Sequence, residues 1–332
     1  MLTKETVHKV LDAALSEGAD FAEVFAEDSR TTNVVLQDRK IEEYQLGNHY
    51  GVGIRVLYGT QAYYGHSNDT GETVLVQLAD DLARSSKSGG RTDPRDFQVL
   101  TVQDRHQVRE APDTVSQQER VDLLRSLDKT TRAQGAELTQ VRAGVIEKHR
   151  QVLIANSEGL WAENKAQYAR LVLRAIAEKG DGPQDASESP GVLGGYEFFR
   201  GLDVTKLSEE VAQSALRMAG AGYIEGGSMP VVLGNGFGGV IFHEACGHPL
   251  ETEAIRKGAS PFVGKVGERV GQPILTAVDD GTLDNYWGSI NIDDEGTPAQ
   301  RTVLIKDGIL QSFLSDRIGA GQVGMPRTGS AR

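Results

Sequence analysis

Between residues 4 and 17, Val7, Val10, Leu11, Ala14 and Leu15 recur at the three- and four-residue spacing of one helix face. Thr3 stands where an N-cap is wanted, and Gly18 where a helix can end. The period then changes. FAEVFAED, TTNVVLQD, IEEYQL, YGVGIRVLYG and QAYYGHSND are short, rich in β-branched or aromatic residues, and bounded by turn residues. They predict an antiparallel meander. GETVLVQLADDLARSSKS returns to the helical period and runs into Ser and Gly. Residues 1–90 therefore read as an N-terminal α+β domain.

From Gly89 to about Thr114 no period holds, and a loop is expected. SQQERVDLLRSLDKTTRAQ predicts a helix, and LTQVRAGVIEKHRQVLIAN and LWAENKAQYARLVLRAIAEK predict strands. Residues 180–195, rich in Gly, Pro, Ser and Asp, predict a surface loop, and VTKLSEEVAQSALRMAGA a further helix. This is a middle α+β domain, residues 91–225. A third unit, 226–332, opens on SMPVVLG, which has the pattern of a buried strand. The helix–strands–helix order recurs too loosely to count as a duplication. The expected fold class is α+β and multi-domain, with antiparallel or mixed sheets and helices. The length of 332 residues, more than one core usually serves, agrees.

Charge removes one class of function. With 35 Lys and Arg against 47 Asp and Glu, the net charge is −12, and no basic run of five occurs. Neutralising nucleic-acid phosphates needs clustered positive charge, so no nucleic-acid partner is expected. No apolar run approaches the roughly 18 residues that a membrane-spanning helix needs, so no membrane partner is expected either. The start, MLTKETVHKV, lacks the apolar core of a signal peptide. The single cysteine, Cys246, allows no internal disulfide and suits a reducing compartment. The expected location is cytoplasmic.

The chemistry concentrates in VIFHEACGHPLETE, residues 240–253. His248 follows His243 by five residues, which on a regular α-helix sets the two about 140° apart. Gly247 permits a departure, and Pro249 cannot donate to the carbonyl of Ala245. A π turn, with its i→i+5 bond, would bring the fifth residue back over the first. A metal site at His243 and His248 thus requires a distorted helix between Ala245 and Pro249. Two alternatives stand beside it. A plain helix could pack Val240, Ile241 and Ala245 into a core. Glu244, His248 and Glu251 could also form an ordinary hydrogen-bonded row.

Just before it, GNGFGG (234–239) fits the glycine pattern of a dinucleotide site, but no acidic residue ends a second strand about 20 residues later. Glycines that let a helix start close against a sheet account for it better. Cys246 reads as a small buried hydrophobe before a nucleophile. His8, His49, His66, His106 and His149 make no ligand pair.

GVIFHEACGHPLE resembles the HExxxH signature of the TldD/PmbA peptidase family, once called modulators of DNA gyrase. DDEGTPAQRTVLIKDGIL (293–310) and MPRTGSAR (325–332) resemble two further family stretches. The likeness covers the arrangement of the whole chain and is most specific after residue 226. PmbA-type (TldE) subunits lack HExxxH, so the chain is similar to the TldD side. The resemblance implies a zinc-dependent peptidase for flexible or unfolded peptides. His243 and His248 become Zn²⁺ ligands and Glu244 the general base. It also implies a homodimer, or a heterodimer with a PmbA/TldE-type subunit, and a peptide could be held by addition to a strand edge. The family's third ligand is a cysteine near its C-terminus, beyond the region that Arg332 reaches. The expectation is a truncated chain with an incomplete site, little stoichiometric zinc and negligible activity as isolated. The alternative role is a non-catalytic peptide-binding or assembly subunit of a TldD/TldE-type complex.

Overall fold

The computed structural model describes residues 2–85, 89–180 and 182–331. It begins with α1 (Lys4–Ala14), β1 (Phe21–Gln37), β2 (Lys40–Tyr58), β3 (Gln61–Ser67) and α2 (Glu72–Ala83). There follow β4 (Gln98–Leu100), α3 (Gln117–Arg132), β5 (Leu138–Asn156), β6 (Leu160–Glu178), β7 (Pro183–Glu188), β8 (Gly191–Leu193), α4 (Glu197–Arg200) and α5 (Val204–Ala219). The strands form a sheet ordered β3-β2-β1-β5-β6-β4, with β7 and β8 also on β6. All pairings are antiparallel except the parallel β4–β6 contact. The fold is thus mixed α+β, and the first two expected units share this sheet.

Local signals produced the helices. The Thr3 side chain accepts the N–H of Thr6, and α1 buries Val7, Val10, Leu11 and Ala14. It stops at Ala14, and the chain turns through Gly18 at φ 84°. The tail expected for α2 at residues 86–88 lies outside the described residues, as does residue 181 of the expected 180–195 loop.

The strands depart from expectation in length. FAEVFAED and TTNVVLQD are one strand, as are IEEYQL and YGVGIRVLYG. Ser29 and Arg30, which looked like a break, pair with His49 and Asn48 on one side and with Arg150 and His149 on the other. Ladder bonding on two sides outweighs weak local turn preference. The expected loop 180–195 likewise contributes β7 and β8, which the long edge of β6 captures through main-chain pairing.

Strand alternation then gives the sheet two faces. Ala22, Val24 and Ala26 of β1 pack with α1 and α2, while Val34 and Leu36 pack with α3 and α5. The intervening positions Glu23, Phe25 and Glu27 turn to the other face, where the third unit docks through Ile292, Asp294 and Glu295.

That unit contains α6 (Val240–Phe242), α7 (Thr252–Arg256), β9 (Ala277–Asp280), β10 (Arg301–Lys306), β11 (Ile309–Leu310) and α8 (Arg317–Val323). Asp307 and Gly308, at φ 50° and 79°, turn β10 into β11, the backbone that an Asp-Gly hairpin adopts. Leu250, Ile255, Leu304, Ile305, Leu310 and Phe313 fill its core. SMPVVLG is not a strand. Val231 and Val232 are 71% and 100% exposed, and the segment pairs with nothing among the described residues. β-propensity makes a strand only where a neighbour completes the ladder.

The docking surface carries a pH dependence. Arg55 Nε lies 2.7 Å from Glu23 Oε1, and its Nη2 2.5 Å from Glu295 Oε1. Burial, partly offset by Arg55, raises Glu23 from its ordinary 4.5 to about 7, and burial raises Asp293 to about 6. The folded protein therefore keeps protons that the unfolded chain releases in this window. Their stabilising contribution is complete below the unfolded values and is lost as pH rises through the folded ones. In thermal melts, Glu23→Gln should gain stability relative to the wild type between about pH 5 and about pH 8. A difference that stays constant across that range would contradict the assignment.

Candidate metal centre

Residues 236–250 are a succession of tight turns rather than one α-helix. Gly236–Gly239 is a 3₁₀ turn, with Gly236 at φ 77°. After α6, His243–Gly247 is a π turn, and His248–Leu250 is a 3₁₀ turn that contains Pro249. The N–H of His248 donates to the carbonyl of His243, the i→i+5 bond of a π turn, which brings the fifth residue back over the first. The imidazole centroids come within 4.4 Å, with ring planes 64° apart.

The ligand atoms of His243, Glu244 and His248 all lie within 4.8 Å of one another, and the three residues are exposed. Glu244 Oε2 is 3.9 Å from His248 Nε2, and Glu251 Oε1 is 2.8 Å from His248 Nδ1. The hydrogen bond to Glu251 raises the His248 pKa above its ordinary value. The row of Glu244, His248 and Glu251 is therefore present together with the converging histidines. Two imidazole nitrogens and a carboxylate form a donor set that suits zinc and its first-row neighbours. Exposure leaves room for a substrate beside them.

The other readings fare differently. Val240, Ile241 and Phe242 are 39%, 60% and 39% exposed, so this is no core-packed helix. Cys246 packs beside the cluster around Leu250, outside the group formed by His243, Glu244 and His248. Burial pushes its thiol up, away from nucleophilic reactivity. The glycines of GNGFGG follow no strand among the described residues, so the dinucleotide context is missing and no helix starts there against a sheet.

Sequence reasoning missed what holds the site in place. The N–H of Thr252 donates to the carbonyl of Leu314, and the N–H of Leu314 to that of Leu250, both at 2.9 Å. Leu250 and Thr252 are 0% and 2% exposed. A Cβ at Gly319 of α8 would overlap the Thr252 side chain, so α8 packs directly against this anchor. No local pattern announces a contact between segments so far apart in the chain.

Comparison with known proteins agrees along the chain. Family models described as PmbA/TldA metallopeptidase domain 1, central domain and C-terminal domain match residues 22–86, 110–219 and 226–332. A protein named metalloprotease TldD homolog from Haemophilus influenzae is 33% identical, over all of this chain and 70% of its own length. A metalloprotease from Methanothermobacter thermautotrophicus is 29% identical over 96% of this chain and 69% of its own. Two solved structures share the fold. A proposed modulator of a DNA gyrase from Thermotoga maritima has a TM-score of 0.80 and 20% identity, over 98% of this chain and 74% of that one. TldE from Thermococcus kodakarensis has a TM-score of 0.69 and 19% identity, over 94% and 70%. Among the described residues no helix is long and apolar enough to cross a membrane. With three family models matched in order and a relative at 33% identity aligned along the whole of this chain, the chain belongs to the PmbA/TldD metallopeptidase family.

Proposed function

We propose that the chain is a zinc-dependent peptidase for flexible or unfolded peptides, with His243 and His248 as metal ligands and Glu244 as general base. The observation that carries this reading is the π turn at His243–Gly247, which brings the two rings to 4.4 Å with Glu244 beside them. The imidazoles would hold the ion. When bound, zinc supplies Lewis acidity, polarising a peptide carbonyl and acidifying water. Glu244, exposed and next to His248, is free to take a proton from water and pass it to the leaving amine.

The reading extends to organisation. The divisions 1–90, 91–225 and 226–332 are proposed as units, the first two building the large sheet and the third carrying the site. A homodimer, or a heterodimer with a PmbA/TldE-type subunit, and a cytoplasmic location belong to the same proposal. Family membership and the likeness to TldE in fold support the pairing.

Two imidazoles are a sparse ligand set, so the protein should carry little stoichiometric zinc as isolated. Added zinc should bind, and cleavage of an unstructured peptide should require it and stop with a chelator. His243→Ala and His248→Ala should each remove both metal binding and cleavage. Zinc-dependent cleavage that survives the double substitution would defeat this reading.

A further inference from the structure

We propose that Glu251 is a positioning residue for the metal site: its carboxylate accepts Nδ1–H of His248, fixing the tautomer that leaves the Nε2 lone pair free on the side of Glu244. This rests on the metal-site reading above. The geometry supplies the orientation. Glu251 Oε1 is 2.8 Å from His248 Nδ1, while His248 Nε2 is the nitrogen near Glu244, at 3.9 Å. A ring that donates through Nδ1 has its acceptor lone pair on Nε2.

The main chain around Glu251 is fixed independently of this contact. Its N–H donates to the carbonyl of His248 at 3.1 Å, and the residue bridges to Leu314. Buried Leu250 and Thr252 flank it, and both bond to Leu314 through their main chains. Glu251 also occupies the N-cap position of α7, where a carboxylate commonly accepts a helix N–H, yet its side chain makes no such bond. It turns to His248 instead. His243 has no equivalent: among the described residues no hydrogen bond reaches its ring. One imidazole of the pair is held and the other is free to adjust.

Magnitudes separate this role from a structural one. The side chains of His248 and Glu251 are 53% and 46% exposed. An exposed pair of this kind contributes little to folding. A carboxylate behind a metal-binding histidine, by contrast, changes metal affinity by about 10–100-fold. Glu251→Ala should thus leave the melting temperature nearly unchanged while weakening zinc binding by that factor. Glu251→Gln, whose amide oxygen still accepts a hydrogen bond, should lose less.

The decisive experiment combines ¹⁵N NMR of the His248 ring in the metal-free chain, well above its measured titration midpoint, with calorimetric zinc titration. The wild type and Glu251→Gln should show the Nδ1–H tautomer, and Glu251→Ala should move to Nε2–H. The His243 ring should not respond. An Nε2–H tautomer in the wild type, or equal zinc affinity in wild type and Glu251→Ala, would overturn the proposal. So would loss of all zinc binding in Glu251→Gln, which would make Glu251 a ligand. Wild-type affinity no higher than that of the His243→Ala/His248→Ala protein would instead overturn the metal reading itself, and the proposal with it.

Discussion

Glu244→Gln is expected to lower peptide hydrolysis at saturating zinc by about 10²–10⁴-fold, the usual worth of a general base, while zinc affinity stays close to wild type. The substitution keeps the side-chain shape but removes the ability to take a proton. Glu244 is exposed and 3.9 Å from the Nε2 of His248, near enough to share water with that ring. Calorimetric zinc titration and single-peptide cleavage, run on the same preparations, separate the two functions. Unchanged hydrolysis would remove Glu244 from the chemistry. Loss of zinc together with hydrolysis would make it a ligand.

A second large effect is expected far from the site. Arg120 and Glu147 form an ion pair whose side chains are only 5% and 2% exposed, with Nε 2.6 Å from Oε2. Arg120 also donates to the carbonyls of Pro112, Val115 and Ser116, and its guanidinium lies 5.4 Å from the Tyr196 ring centre. One side chain thus ties the entry of α3 and the aromatic residue before α4 to the middle of β5. Burial already pushes the Glu147 carboxyl up, and among the described residues its Oε1 has no hydrogen-bond partner. Arg120→Ala would leave that acid uncompensated, at a cost of about 3–5 kcal/mol. Replacing both partners, as Arg120→Met with Glu147→Leu, should cost clearly less. Denaturant unfolding measures both, and equal losses in the two proteins would contradict the argument.

What the sequence could and could not disclose follows the range of the interactions. α1, α3 and α5 were legible because apolar spacing is a local determinant, helped in α1 by the Thr3 cap; the structure adds side-chain caps from Ser116 and Asp203, which that spacing does not reveal. The full length of β1 was not, since Ser29 and Arg30 are held in register by residues of β2 and β5. PQDASE has no strand pattern and becomes β7 only because β6 offers an edge. MPVVL has the pattern, but it pairs with nothing among the described residues and stays exposed. At the site, Gly247, Pro249 and the five-residue histidine spacing were enough to show that a metal reading needs a distorted helix and that a π turn would supply it. The anchoring of Leu250 and Thr252 on Leu314, and the packing of α8 against Thr252, depend on tertiary contacts that no motif encodes.

The central claim is that the π turn makes His243 and His248 ligands of one ion. Anomalous diffraction at the zinc edge, from crystals soaked in zinc, tests it directly. The expected result is a single peak about 2.0–2.1 Å from one nitrogen of each imidazole, with the His248 contact through Nε2. A regular α-helix through residues 243–248 with the rings diverging, or a peak bound to only one of the two histidines, would contradict it.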